Sequence, residues 1–142
     1  MAELTEDIHM DISKYTAFFH DGSLREIVHK DDKIELLMSS AETDEEDLKE
    51  SIELSEDKRI TGKLYIEGVK SITIDDKLLQ EPLKKEYDDG EIINFNIIGN
   101  IVRLAIQWDN YPPRPKIDVF SVITIVSQKV YWENIPNLED GL

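Results

Sequence analysis

Apolar and polar residues alternate most regularly between Glu91 and Trp108, on both sides of a Gly99-Asn100 pair. Alternation of this kind is typical of half-buried β-strands, and a two-residue turn joins two antiparallel strands. The pattern therefore predicts a hairpin in which Ile98 pairs with Ile101. Its dry face carries the pairs Ile97–Val102, Phe95–Leu104 and Ile93–Ile106, and its wet face carries Asn94, Asn96, Arg103 and Gln107.

Shorter alternating runs predict further strands on either side of this hairpin. Two of them should pair around Lys30-Asp31-Asp32 with Lys33 opposite His29, so that Ile34 faces Val28 and Met38 faces Leu24. The predicted strands are 24–29, 33–39, 59–66, 70–74, 83–87, 117–127 and 129–132.

Turn residues predict how some of these strands connect. Glu67-Gly68 should join strand 59–66 to strand 70–74, with Ile72 opposite Leu64, and Asp88-Asp89-Gly90 should join strand 83–87 to the long hairpin, with Gly90 in the left-handed conformation. Strand 117–127 carries apolar residues on both faces. Such a strand is expected between two packed layers.

Taken together, about eight strands spaced by roughly 8–12 residues predict a mainly β, antiparallel fold. A β-sandwich and a half-open barrel remain alternatives, with at most short helices. Residues 1–142 are expected to form a single domain, because no repeat or linker interrupts them. Leu4, Ile8 and Ile12 have helical spacing, so residues 1–14 are expected to be a short helix or a loose segment.

Composition narrows the classes of function. The 142 residues include 31 acidic and 16 basic residues, giving a net charge of -15, and no cysteine. The charge disfavours nucleic acid and anionic membranes as partners, and the absence of cysteine excludes thiol chemistry and cysteine-based zinc sites. No apolar run approaches the ~18 residues of a membrane span, and the start lacks a signal-peptide pattern. A cytoplasmic location is therefore expected.

More than half of the charge imbalance lies in residues 42–57, where nine acidic residues stand against Lys49 alone. Thr43 and Glu46 have the spacing of a helix capping box, so residues 41–58 are expected to form an acidic loop or a short helix. The acids do not match the pattern of a calcium-binding EF-hand loop. Either the segment keeps the chain soluble, or it binds a partner through the following residues: Asp44, Glu45, Glu46, Asp47 and Glu50.

His20-Asp21 is the one histidine–carboxylate pair placed in a turn, before Gly22 and Ser23. In a hydrolase His20 would be a general base, Asp21 would orient it and Ser23 would be the nucleophile. In the alternative interpretation Asp21 stabilises a turn closed by Gly22, and His20 bonds to the backbone. The chain lacks the sequence motifs of nucleotide-binding loops, serine hydrolases and zinc proteases, and no metal or cofactor is expected.

A proline-rich stretch follows the hairpin, from Trp108 to Pro115. Its prolines prevent ladder hydrogen bonds, which predicts an extended connection with Trp108 packed in the core. Tryptophan, tyrosine and arginine also anchor interfaces, so Trp108, Tyr111 and Arg114, in a binding edge made with Tyr131 and Trp132, are candidate partner contacts.

The segments Phe19-His20-Asp21-Gly22-Ser23-Leu24, Trp108 to Pro113 and Tyr131 to Pro136 resemble those of small bacterial β proteins, some of which are similar to immunity proteins of polymorphic toxin systems. The resemblance covers 18 of the 142 residues and carries no catalytic residues. It implies a cytosolic protein that binds a partner protein.

We therefore expect a non-enzymatic, acidic domain that binds a protein partner, such as a basic toxin domain that it neutralises. One alternative is a β domain that binds a small ligand or carbohydrate, or a hydrolase, with His20, Asp21 and Trp108 at a concave site. Another is a structural subunit of a homo-oligomer, which would expose an apolar sheet face or an unpaired edge.

Overall fold

A computed structural model describes residues 9–48 and 51–137, and these residues are mainly β. Two stretches of 3₁₀ helix, Ile12–Phe19 and Glu45–Asp47, accompany the strands. Within the described residues the strands are β1 His9–Met10, β2 Ser23–Lys30, β3 Lys33–Ser39, β4 Thr61–Glu67, β5 Ser71–Ile74, β6 Lys77–Leu78, β7 Asp89–Ile98, β8 Ile101–Asp109, β9 Val119–Val126 and β10 Lys129–Asn134.

All pairings in the described part are antiparallel, and the strands form one sheet in the order β1-β10-β4-β3-β2-β7-β8-β9-β5-β6. The sheet is not closed, because β1 and β6 have no further neighbour in this order. The predicted mainly β, antiparallel fold is confirmed. Strands β2 and β7 share only the pairs Ser23–Glu91 and Leu24–Gly90, so the sheet has two halves that are joined narrowly.

The β7–β8 hairpin has the predicted register next to its turn. Ile98 pairs with Ile101, and Phe95 pairs with Leu104. A β-bulge then inserts Ile93, so Ile92 rather than Ile93 pairs with Ile106. The predicted Ile93–Ile106 pair is wrong because a bulge shifts the register by one residue, which strict alternation cannot anticipate.

The turn of the β2–β3 hairpin begins one residue later than predicted. Lys30 pairs with Lys33, which leaves a two-residue turn at Asp31-Asp32 and places His29 opposite Ile34. A bulge at Arg25 restores the predicted Leu24–Met38 pair. Val28 therefore does not face Ile34, and its side chain is exposed.

The predicted strand 83–87 is absent, because residues 79–88 have no regular structure. They lie beside β2, where the Leu83 N–H donates to His29 Nδ1 at 2.8 Å and Lys85 Nζ donates to a β2 carbonyl. Gly90 lies inside β7 and does not have a positive φ. Glycine is needed there for another reason: a Cβ at this position would lie 2.8 Å from the ring of Trp108.

Two further predictions, one about the partner of β4 and one about the position of β9, are also wrong. β4 does not pair with β5, because β4 lies between β3 and β10, and Ile72 of β5 pairs with Ile125 of β9. β9 does not lie between layers, because its Phe120 side chain is 47% exposed.

The core lies between the two halves of the sheet and includes residues of the N-terminal 3₁₀ helix. Ile12 opens this helix, whereas Leu4 and Ile8 lie outside the described residues. Phe19, which is fully buried, packs edge-to-face on Phe95 of β7 at 5.2 Å and on Trp132 of β10 at 5.6 Å between ring centroids. One side chain thus connects both halves.

Replacing Phe19 by alanine should therefore lower the free energy of unfolding by about 3–5 kcal/mol, because it removes a large buried ring and leaves a cavity. Chemical denaturation monitored by fluorescence measures the loss. Phe120→Ala is the matched control, and its cost should stay below about 1 kcal/mol because Phe120 is half exposed. Equal costs for the two variants would contradict the bridging role of Phe19.

Candidate interaction surface

Between β3 and β4 the described residues 42–48 and 51–57 form a loop whose regular structure is the short 3₁₀ turn Glu45–Asp47. Glu50, a predicted partner contact, lies outside the described residues. Ile52 is buried, and Leu48 and Leu54 pack against the core, so apolar side chains fix the loop to the fold. Its other acidic side chains are exposed, namely Glu42, Asp44, Glu45, Glu46, Asp47, Glu53, Glu56 and Asp57.

The base of this acidic loop is held by a hydrogen-bond network around the buried Ser40. The Arg59 guanidinium donates to the Ser40 carbonyl at 2.8 Å, and the Ile60 N–H donates to Ser40 Oγ at 2.8 Å. Asp57 accepts from Ser55 and Arg59, and these bonds, that of Ser55 first, hold the pKa of Asp57 below its usual range. The Asp57–Arg59 pair neutralises one acid of the loop.

The predicted capping box does not form. The short 3₁₀ turn begins after Asp44, whose side chain makes no capping bond, and Thr43 Oγ1 donates to the Ala41 carbonyl instead. The acids Asp44, Glu45, Glu46 and Asp47 form no salt bridge among the described residues. These four exposed acids, with Lys58 as the described basic residue in the same cleft, leave an excess of negative charge on the described part of the loop.

Charge differs between the two ends of strands β2, β3, β4 and β10. The acidic loop lies at one end, where the Asn134 amide of β10 donates to the Glu53 carbonyl at 2.8 Å. Lys30, Lys33 and Lys129 lie at the opposite end of these strands, near Asp31 and Asp32. Glu67 pairs with Lys33 and Lys129 at that opposite end, so acidic and basic residues balance there, and the excess of negative charge lies at the loop end.

Trp108 and Trp132 do not contribute to a surface. Trp108 is 5% exposed, and its indole N–H donates to Ser121 Oγ at 3.2 Å. Trp132 is fully buried. The prediction that these two side chains contact a partner is therefore wrong. Both occupy inward positions of their alternating strands and point toward the core.

The proline-rich loop is fastened to the segment before β7. Arg114 donates to Asp88 Oδ1 at 2.8 Å and to the Glu86 carbonyl at 3.1 Å, and the Tyr111 N–H donates to Asp88 Oδ2. These bonds, that of Tyr111 first, lower the pKa of Asp88. Tyr111 is 54% exposed, and the Arg114 side chain is 49% exposed although it holds the loop, so both predicted contacts remain accessible.

A pair of tyrosines lies on the outer face of β4 and β10; sequence reasoning named Tyr131 as part of a binding edge but missed Tyr65 and the pairing. Tyr65 and Tyr131 are directly opposite each other and stack at 5.0 Å between ring centroids. Tyr65 Oη donates to Glu133 at 2.7 Å, and Tyr131 Oη donates to Glu67 at 2.5 Å. A sequence signal was present: Lys-x-Tyr-x-Glu occurs twice, at 63–67 and 129–133, and antiparallel pairing relates the two copies by an approximate two-fold axis.

We call this set of six residues the tyrosine–glutamate face; it comprises Lys63, Tyr65, Glu67, Lys129, Tyr131 and Glu133. Burial and the hydrogen bond to Glu67 raise the pKa of Tyr131 to about 12, and burial and Glu133 raise the pKa of Tyr65 further. Glu35 contributes to both shifts. Burial is the largest cause of both raised pKa values, and the neighbouring carboxylates add to it, so both phenols stay neutral to a higher pH than an exposed tyrosine.

His20, Asp21 and Ser23 are not assembled as a catalytic group. His20 Nδ1 lies 2.6 Å from the Ile93 carbonyl, and Nε2 lies 3.7 Å from Asp21 Oδ1. Ser23 Oγ contacts Ser39 Oγ at 3.0 Å instead. The His20 side chain is 62% exposed and borders an open cleft of about 320 Å³ that does not include Trp108. The turn itself needs Gly22, because a Cβ there would lie 2.2 Å from the Ser39 carbonyl oxygen.

The outer face of β7, β8 and β9 exposes apolar side chains. Ile98 is 76% exposed, and Ile101 and Phe120 are about half exposed. A groove of about 500 Å³ on this face contains no carboxylate and is lined by Asn94, Asn96, Ile98, Ile101, Arg103, Ala105, Val122 and Thr124.

In comparisons with known proteins, no family model, curated protein or solved structure matches the chain. In residues 9–48 and 51–137 no three or more metal-binding side chains are grouped to hold an ion. The same residues include no helix long and apolar enough to cross a membrane.

The tyrosine–glutamate face should delay phenol ionisation and make stability pH-dependent. Because folding raises the pKa of Tyr131 from 10 to about 12, its contribution to stability is complete below pH 10 and is lost as the pH rises toward 12. Absorbance at the tyrosinate band should show a late-titrating component in the wild type. Tyr131→Phe and Tyr65→Phe should each remove part of it, whereas an unchanged titration curve would contradict the assignment.

Proposed function

We propose that this chain is a non-enzymatic domain that binds a basic surface of a partner protein through the acidic loop 42–57. The observation that carries the proposal is that Asp44, Glu45, Glu46 and Asp47 are exposed and lack a salt bridge among the described residues, while Ile52 anchors the loop. Because the loop is anchored to the fold, its carboxylates can bind a partner without the loss of conformational entropy that ordering a free loop would require.

Such a surface mainly accelerates encounter. An excess of negative charge at one end of the sheet steers a basic partner into the correct orientation and raises its association rate, most strongly at low salt. Tight binding then depends on neighbouring side chains that exclude water, because exposed ion pairs contribute little by themselves.

Within this class, we propose that the partner is a basic toxin domain and that the chain is its cytoplasmic inhibitor. The resemblance of the Phe19 to Leu24, Trp108 to Pro113 and Tyr131 to Pro136 segments to immunity-type proteins supports this narrower proposal. Inhibition would follow from coverage of the toxin's active site by the acidic end of the chain.

Reversing three charges of the loop, with Glu45→Lys, Glu46→Lys and Asp47→Lys, should slow association with the partner about five-fold and weaken its salt dependence. The partner is captured from host lysate on wild-type chain, purified, and its association rate is measured at about 50 and 500 mM NaCl, where screening differs strongly.

The matched control reverses three exposed acids outside the loop: Glu26→Lys, Glu81→Lys and Glu91→Lys. It changes the net charge equally, so it should slow association less than the loop variant. Equal slowing in the two variants would reduce the effect to net charge, and unchanged association in the loop variant would overturn the proposal.

A second candidate function, as a subunit of a homo-oligomer, is favoured by the exposed side chains of Ile98, Ile101 and Phe120. Exposed apolar patches on a sheet face commonly mark interfaces. In that case Ile98→Ser with Phe120→Ser should convert a dimer to a monomer in sedimentation experiments, whereas a monomeric wild type would exclude this candidate.

A further inference from the structure

The tyrosine–glutamate face runs along β4 and β10 away from the acidic loop: its Lys63–Glu133 pair lies toward the loop, and its Glu67–Lys129 pair lies at the opposite end of the strands. The loop leads directly into β4, and Tyr65 is four residues beyond its first residue Thr61, a distance of about 13 Å along the strand. β10, which carries Tyr131, is hydrogen-bonded to the same loop through Asn134. A partner held at the loop that also covers the outer face of β4 and β10 would therefore contact the two tyrosines.

The face combines two aromatic rings with two carboxylates, each of which accepts a tyrosine hydrogen bond at one of its two oxygens. Tyr65 bonds to Glu133 Oε1, and Tyr131 bonds to Glu67 Oε2. Among the described residues no hydrogen bond or salt bridge reaches the second oxygen of either glutamate. Each glutamate can thus accept a further donor without releasing its tyrosine.

The chain already places a cation here. Lys129 Nζ lies 4.9 Å from the ring centroid of Tyr131, a cation–π distance. Lys63 lies 3.5 Å from Glu35 on the same outer face, and both side chains are about a third or more exposed. The surroundings of the stacked rings therefore favour positive charge, and the cations that occupy them are lysines on flexible stems.

Of the two basic side chains that a partner can offer, arginine fits this face better. A guanidinium is planar, stacks on an aromatic ring and donates in a fork to carboxylate oxygens, whereas an ammonium is a strongly hydrated point charge. Stacked tyrosines flanked by Glu67 and Glu133 present both kinds of contact at once.

We infer that the tyrosine–glutamate face binds an arginine side chain of the partner and supplies the aromatic anchor of the interface. The inference rests on the proposed function, since it concerns the partner that the acidic loop attracts. It assigns to Tyr65 and Tyr131 the anchoring role that the sequence suggested for Trp108 and Trp132.

Binding of hexa-arginine and hexa-lysine peptides, measured by calorimetry, tests this inference with ligands of defined chemistry in place of the partner. The wild type should bind hexa-arginine about five-fold more tightly than hexa-lysine, because only the guanidinium stacks. Tyr65→Leu with Tyr131→Leu should abolish this preference. The loop variant E45K/E46K/D47K should weaken both peptides equally and keep the preference.

Phe120→Leu, which changes an exposed aromatic residue on the other half of the sheet, is the control and should keep the preference. Glu67→Gln with Glu133→Gln preserves side-chain shape, so it tests the same face if the leucine variant does not fold; it should also reduce the preference.

The outcomes separate the two proposals. A preference for arginine that survives in the tyrosine and glutamine variants would overturn the inference and leave the proposed function intact. Equal wild-type affinity for the two peptides would do the same. Absence of binding of either peptide to the wild type would count against both proposals.

Discussion

The fold depends on the contacts of one aromatic side chain. Strands β2 and β7 share two residue pairs, so the backbone alone connects the halves of the sheet weakly. Phe19 compensates for this by packing edge-to-face on Phe95 and Trp132, one from each half. Burial of such rings contributes more than the few hydrogen bonds at the junction. The 3₁₀ helix that carries Phe19 is therefore part of the core rather than an appendage.

Local pairing could be predicted from the sequence, and distant pairing could not. Alternation and the Gly99-Asn100 turn were sufficient for the β7–β8 hairpin near its turn, because both signals lie within one short stretch. The same alternation places Leu64 and Ile66 in the core but does not say that β4 pairs with β10 rather than β5. Periodicity determines which face of a strand is buried, and the partner strand depends on packing of the whole chain. Bulges at Arg25 and Ile93 add shifts that no simple pattern carries.

The candidate surface was predictable in its charge and less so in its aromatic residues. Exposed carboxylates could be expected because unpaired charges are rarely buried. Tryptophans were favoured as contacts for their residue type, yet Trp108 and Trp132 occupy inward positions of their strands. The outward residues, Tyr65 and Tyr131, follow from the same alternation read for the opposite face. The two proposals for function therefore rest on neighbouring parts of one surface, an acidic loop for encounter and a tyrosine pair for retention.

The hydrogen bonds of Tyr65 to Glu133 and of Tyr131 to Glu67 affect the register in which β4 pairs with β10. A slip by one residue would turn Leu64 and Ile66 out of the core, so hydrophobicity forbids every odd misalignment. A slip by two residues keeps the same face of β4 buried, so hydrophobicity alone does not disfavour it. It would, however, separate the rings of Tyr65 and Tyr131 and break both hydroxyl–carboxylate bonds. The repeated Lys-x-Tyr-x-Glu segment thus selects one register among those that burial of the apolar face alone would allow.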